Sequence, residues 1–148
     1  RGFRFAGAET SRPAPGVLEA LAGAEVIVIC PSNPWVSIDP VLSIPGIRRA
    51  VRDGVAVAVS PIVGGRALKG PAAKMFREMG IEPSARSVAA HFEGLIRGLV
   101  VDVEDAGEAA EIEAGGIQTL VTHTVMKGRP ARRRLAEGLL DFARALIR

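Results

Sequence analysis

Val26-Ile27-Val28-Ile29-Cys30-Pro31-Ser32-Asn33-Pro34-Trp35-Val36-Ser37-Ile38 is the stretch whose reading decides the fold. Its first half is a continuous run dominated by β-branched residues, the pattern of a strand buried on both faces of a parallel sheet. Its second half breaks the strand at Pro31 and Pro34, which stiffen a loop carrying Ser32, Asn33 and Ser37. Ligands of open α/β sheets bind at the carboxyl ends of strands, so a polar loop leaving a buried strand is a candidate site. The same residue types also build ordinary turns, and composition alone does not separate the two readings.

Upstream, Phe3-Arg4-Phe5 alternates like a short strand over residues 3–6. A helix follows, with Pro15 in its first turn, Val17, Leu18 and Leu21 on its apolar side and Gly23 as its cap. The quoted run then reads as a central strand at 25–30. Downstream, Ser43 and Pro45 read as the cap and first turn of a helix burying Ile47, Ala50 and Val51 and ending at Gly54. Val55–Ser60 is a second apolar strand. Pro71 opens a helix with Ala72, Met75, Phe76 and Met79 on one face, stopped by Gly80. A helix at 84–92, a strand at 99–102, an acidic helix at 105–114 and a strand at 117–122 come next. The last helix, about 130–147, puts Leu135, Leu139, Phe142, Ala143 and Leu146 on one stripe. Strands alternating with helices predict an α/β fold: an open parallel, Rossmann-like sheet with helices on both faces.

A chain of 148 residues with 48% hydrophobic and 24% charged residues fits a globular domain and excludes disorder. The single cysteine, Cys30, rules out a disulfide framework within this chain and is read as a small buried residue; this usage favours the cytoplasm. No apolar run is long enough to span a membrane. The net charge of +3 tilts the molecule towards anionic ligands but, without an aromatic stacking stripe, does not indicate nucleic acid. Six acids lie between Asp102 and Glu113 and five bases between Lys127 and Arg134; both blocks read as solvated faces, although the basic one has the chemistry to grip a phosphate. The chain begins at Arg1 without Met, which reads as the later part of a longer polypeptide.

The segment from Ser60 to Gly70 carries a second candidate site. Gly64-Gly65 lets the backbone approach a ligand, and consecutive N–H groups there form an anion nest. Arg66 and Lys69 lie beside it, and the helix start near Pro71 adds a positive dipole end. Its spacing matches neither the P-loop nor the dinucleotide fingerprint, and a plain glycine-rich turn is the alternative. His91, near Phe92, reads as structural. His123, between Thr122 and Thr124 at a strand end, is better placed for function, but neither histidine has a second metal ligand at a suitable spacing.

Pro31–Ile38, Ile44-Pro45-Gly46-Ile47-Arg48, Ser60–Ala67, Gly70-Pro71-Ala72-Ala73-Lys74 and Val121-Thr122 with Thr124, taken in order, resemble the 2-phospho-L-lactate transferase family. That family builds the deazaflavin coenzyme F-420. The resemblance implies transfer of a 2-phospholactyl or phosphoenolpyruvyl group from a guanosine diphosphate-linked donor to a deazaflavin alcohol, releasing GMP, with Mg²⁺ neutralising the diphosphate. It places Ser32, Asn33, Ser37 and Ile38, the last through its backbone, along the guanosine nucleotide. It places Ser60, Gly64, Gly65 and Arg66 at the border of the same cleft and its phosphates. Lys69, Lys74 and His123 are further candidate contacts to substrate or phosphate.

The match corresponds to the later half of a family member, so residues 1–148 read as the C-terminal part of a single nucleotide-binding transferase domain. The Gly-rich opening loop and the magnesium-holding Asp are expected upstream of Arg1, and no catalytic residue is assigned within the chain. Its implied partners are the donor, the deazaflavin acceptor and a second copy in a homodimer. Two positions depart from the family pattern: Asp39 stands where a Gly is usual, and His123 where an Asp is usual. Bacterial relatives that bind nucleotide sugars as non-catalytic regulators give an alternative, from which the Pro-Ser-Asn-Pro form of the loop distinguishes this chain.

Overall fold

Short apolar runs, each ended by a turn, assemble into a four-stranded parallel sheet with helices on both faces. The structure, a computed structural model, describes residues 3–67 and 72–147. The first half contains a 3-10 turn (Ala8–Thr10), α1 (Val17–Gly23), β1 (Ile27–Ile29), a π-helical turn (Pro34–Ile38), α2 (Asp39–Leu42), α3 (Ile47–Asp53) and β2 (Ala56–Val59). A small hairpin follows, β3 (Ile62–Val63) and β4 (Arg66–Ala67), then α4 (Ala72–Glu78) and α5 (Ala85–His91). The chain continues through β5 (Gly98–Asp102), a 3-10 stretch (Val103–Glu108), α6 (Ala109–Ala114), β6 (Gln118–Thr122) and α7 (Gly128–Ala145).

The sheet order is β1-β2-β5-β6, with Ile27 opposite Ala56, Val57 opposite Gly98 and Gly98 opposite Gln118. β2 and β5 are buried along their whole length, as strands covered on both faces of a parallel sheet should be, with Asp102 the one charged residue among them. On one face Ile27, Ala58, Leu99 and Val101 meet side chains of α3 to α6, including Val51, Phe76, Val88 and Ile112. On the other, Val57, Val59 and Val100 meet Leu135, Leu139 and Ala143 of α7. Gly98 permits that second contact: a Cβ there would stand 2.6 Å from the Phe142 ring.

Several expectations change. The quoted strand is an edge strand of the described sheet, and its burial alternates: Ile27 and Ile29 are buried, but Val28 is 40% exposed. Cys30 continues the exposed side and is not buried. The reason is the position of α7, which packs on β2 and β6. Residues 3–6 form no strand; the first element is the Ala8–Thr10 turn. Pro15 precedes α1, whose N-terminus is flanked by Gly16 in a left-handed conformation. Ser43 closes the end of α2, its N–H donating to the Asp39 carbonyl, while Gly46 precedes α3. The acidic block is not wholly solvated, since Asp102 and Asp105 are buried. Pro71, expected to open α4, lies outside the described residues together with Lys69.

Candidate functional site

A cleft of about 820 Å³ opens where β1, β2 and β6 run out, the end of the sheet at which α/β folds hold ligands. Ser32, Asn33, Val36 and Ser37 line it from the segment after β1, Ser60 and Pro61 from that after β2. Thr124, Val125, Met126, Lys127 and Arg132 line it from the approach to α7 and its first turns.

The β1 segment is a built turn. Pro34 has no N–H, so the Asn33 Oδ1 caps the next two donors, accepting from the Trp35 and Val36 N–H groups at 3.0 and 3.3 Å. The Asn33 carbonyl accepts from the Ser37 and Ile38 N–H groups, which gives the turn its π-helical width. Trp35 pins it to the core, its ring edge-on to Phe76 at 4.3 Å. Asp39, just beyond, points its charge elsewhere: Oδ1 lies 3.0 Å from His91 Nε2 and 3.6 Å from Arg48.

Two other polar groups of the cleft are engaged inside the protein. Ser60 Oγ donates to the Ile62 carbonyl and accepts from the Ile62 N–H. The Thr124 N–H and hydroxyl both donate to Asp102 Oδ2, at 2.7 and 2.9 Å. The Glu104 N–H donates to Asp102 Oδ1 at 3.2 Å. Burial pulls the Asp102 carboxyl upward, but these three donors, with His123 adding a favourable charge, hold it below the ordinary aspartate value. The groups left available are the Ser32 and Ser37 hydroxyls, the Lys127 ammonium and the Arg132 guanidinium. None of the four has a side-chain hydrogen-bond or ion-pair partner among the described residues.

Residues 2–129 match the 2-phospho-L-lactate transferase CofD family. The chain belongs to that family. It is 45% identical over 140 residues to a phosphoenolpyruvate transferase of Streptomyces griseus, covering 93% of this chain and 44% of the relative. It is 37% identical over 148 residues to the 2-phospho-L-lactate transferase of Methanopyrus kandleri, covering 99% of this chain and 47% of the relative. The chain thus spans less than half the length of the curated relatives it matches. A crystal structure of a Bacillus halodurans protein superposes with a TM-score of 0.53 at 21% identity, over 86% of this chain and 47% of that one. That likeness bears on the fold alone, and agrees with an open α/β sheet forming part of a larger one.

In this CofD-family chain, the cleft brings together four of the residues singled out in the sequence, Ser32, Asn33, Ser37 and Ser60. Ile38 lies behind the turn, packed on the core, with its N–H engaged by Asn33. Gly64, Gly65 and Arg66 stand outside the lining. Both glycines have positive φ, 55° and 71°, and join β3 to β4 in a tight hairpin. The anion-nest expectation meets a protein carboxylate there: the Gly64 N–H donates to Asp105 Oδ1 at 3.0 Å, and Arg66 lies 4.0 Å from Glu104. Lys74 is paired with Glu78 at 3.6 Å, and His123 is exposed outside the cleft lining. Thr124, Lys127 and Arg132 were not assigned to the cleft from the sequence: Thr124 was signalled only as part of the family resemblance, and the two cations only as members of a basic run following a strand end.

A smaller hollow of about 490 Å³ lies between α5 and α6, but its one cation, Arg86, is already surrounded by Glu82, Glu108 and Glu111. Among the described residues no group of three or more His, Cys, Asp or Glu side chains is placed to hold a metal ion. Both oxygens of Asp102 accept hydrogen bonds from within the protein. No described helix is long and apolar enough to cross a membrane.

Proposed function

We propose that this chain supplies the nucleotide-binding part of a transferase acting in coenzyme F-420 biosynthesis. The reaction moves a three-carbon phosphoacid from a guanosine diphosphate-linked donor to the deazaflavin alcohol. The acceptor oxygen attacks the phosphorus that bears the acid, the bond to the bridging oxygen of GMP breaks, and the alcohol proton leaves. The observation that carries this reading is the cleft at the strand ends, with the Ser32 and Ser37 hydroxyls unengaged on a rigid turn, in a chain that belongs to the CofD family. The turn pre-pays the ordering of its own backbone through Asn33 and Trp35, so the hydroxyls are held in place before the nucleotide arrives.

Identity to the phosphoenolpyruvate transferase of Streptomyces griseus exceeds that to the methanogen 2-phospho-L-lactate transferase, and supports the phosphoenolpyruvyl form of the donor. Mg²⁺ enters this reading as a component added to the assay, where it would neutralise the donor's diphosphate. The test is to incubate a polypeptide of the relatives' full length with the deazaflavin alcohol, Mg²⁺ and either guanosine-linked donor. The products are followed by mass spectrometry. Equal amounts of phosphodiester and GMP are expected, faster with the phosphoenolpyruvyl donor. Absence of product with both donors refutes the proposal.

A further inference from the structure

We propose that Lys127 and Arg132 form a cationic wall of the cleft and take the diphosphate of the guanosine-linked donor. This deepens the nucleotide reading above and rests on it for the identity of the ligand. Both side chains line the same cavity as Ser32 and Ser37, although they come from the far end of the sequence. Lys127 immediately precedes α7 and Arg132 lies just over one turn into it, so both stand at the same end of that helix. Neither has an ion-pair partner among the described residues, whereas Arg133, next in the chain, is held by Glu137 at 2.7 Å. Asp102, the buried carboxylate that holds the neighbouring Thr124, accepts three hydrogen bonds and makes no ion pair with either cation among the described residues. A pair of unpartnered cations beside unengaged hydroxyls is complementary to a ligand that is anionic at one end and polar at the other.

The test is calorimetric titration of the chain with GDP, guanosine and inorganic pyrophosphate, in the wild type and in Lys127→Gln, Arg132→Gln and Arg134→Gln. All three side chains are exposed, so folding should be retained, and circular dichroism checks it. Arg134 is a control for bulk charge, because it is on the same helix but outside the cleft. Lys127→Gln and Arg132→Gln should each weaken GDP about tenfold and leave guanosine within about twofold, while Arg134→Gln changes GDP by less than about twofold. Losses of GDP no larger than those of Arg134→Gln overturn the proposal. Pyrophosphate binding that both cleft variants abolish, with guanosine contributing nothing, keeps the wall and removes the guanosine reading. A wild-type chain that binds neither GDP nor pyrophosphate removes the wall.

Discussion

Two buried carboxylates on one segment close two different turns at the same end of the sheet. Asp102 ties down the Thr124 strand end that lines the cleft, and Asp105, three residues on, ties down the Gly64–Gly65 hairpin outside it. Burial alone raises the carboxyl of both. Asp102 has donors on both oxygens and ends below the ordinary value. Among the described residues Asp105 accepts only the Gly64 N–H and its Oδ2 is buried without a partner, and burial with the nearby Glu108, Asp102 and Glu104 charges holds it above that value. At Asp102 three donors outweigh burial; at Asp105 one donor does not outweigh burial and three like charges. The cleft side of the fold is therefore locked by its carboxylate, and the hairpin side is held against an electrostatic cost.

The strongest way to break this contrast is Asp102→Ala. It strands the Thr124 and Glu104 N–H groups and should lower stability by about 3 kcal/mol, read as a fall in the urea midpoint at unchanged slope. Because its folded pKa is lowered, the contribution of ionised Asp102 is present above the unfolded value of about 3.9 and is lost as pH falls through the lower folded value. A loss under about 1 kcal/mol at pH 7 would show that Thr124 holds its place without the carboxylate.

Next in size is Asn33→Ala on the cleft turn. It leaves the Trp35 and Val36 N–H groups uncapped and should cost about 1–2 kcal/mol. Asn33→Asp keeps the capping oxygen and should recover most of that. Trp35 is the only tryptophan, so its emission reports the turn directly. A red shift in Asn33→Ala that Asn33→Asp reverses would assign Asn33 to building the turn. Nucleotide affinity lost in both variants with stability unchanged would assign it to the ligand instead.

How much of this was legible in the sequence follows from how far each interaction reaches. The apolar runs of β2 and of Leu99–Val101 in β5 announce themselves locally because those strands are buried on both faces, and the Leu135, Leu139, Ala143 stripe of α7 does so because its burial follows the helical period. The edge position of β1 does not, because Val28 and Cys30 are exposed by where a helix a hundred residues later happens to lie. Pro31-Ser32-Asn33-Pro34 was legible as a turn and as a site, but the role of Asn33 as its cap required the direction of one amide. Gly64-Gly65 was legible as a place where a backbone donor is exposed. What meets that donor is Asp105, 41 residues away, and no local pattern names it. Lys127 and Arg132 were visible only as members of a basic run, since which of its charges faces a cleft is set by the packing of α7.

The smallest effect expected, and the one that sharpens the contrast most, is Asp105→Asn. The amide keeps an oxygen for the Gly64 N–H and removes the charge that burial and three neighbouring acids oppose. At pH 7 it should stabilise the chain by about 0.5–1 kcal/mol, the reverse of any substitution at Asp102. The sign of the pH dependence reverses too. With a folded pKa above the unfolded value, the native state binds the proton more tightly, so wild-type stability rises as pH falls through the folded value towards the unfolded one. Asp105→Asn should abolish that rise while leaving the loss due to Asp102 at lower pH, which chemical denaturation at several pH values between 3 and 7 separates. If Asp105→Asn instead destabilises the chain at pH 7, the buried Oδ2 has a donor that outweighs its desolvation, and the two carboxylates are alike.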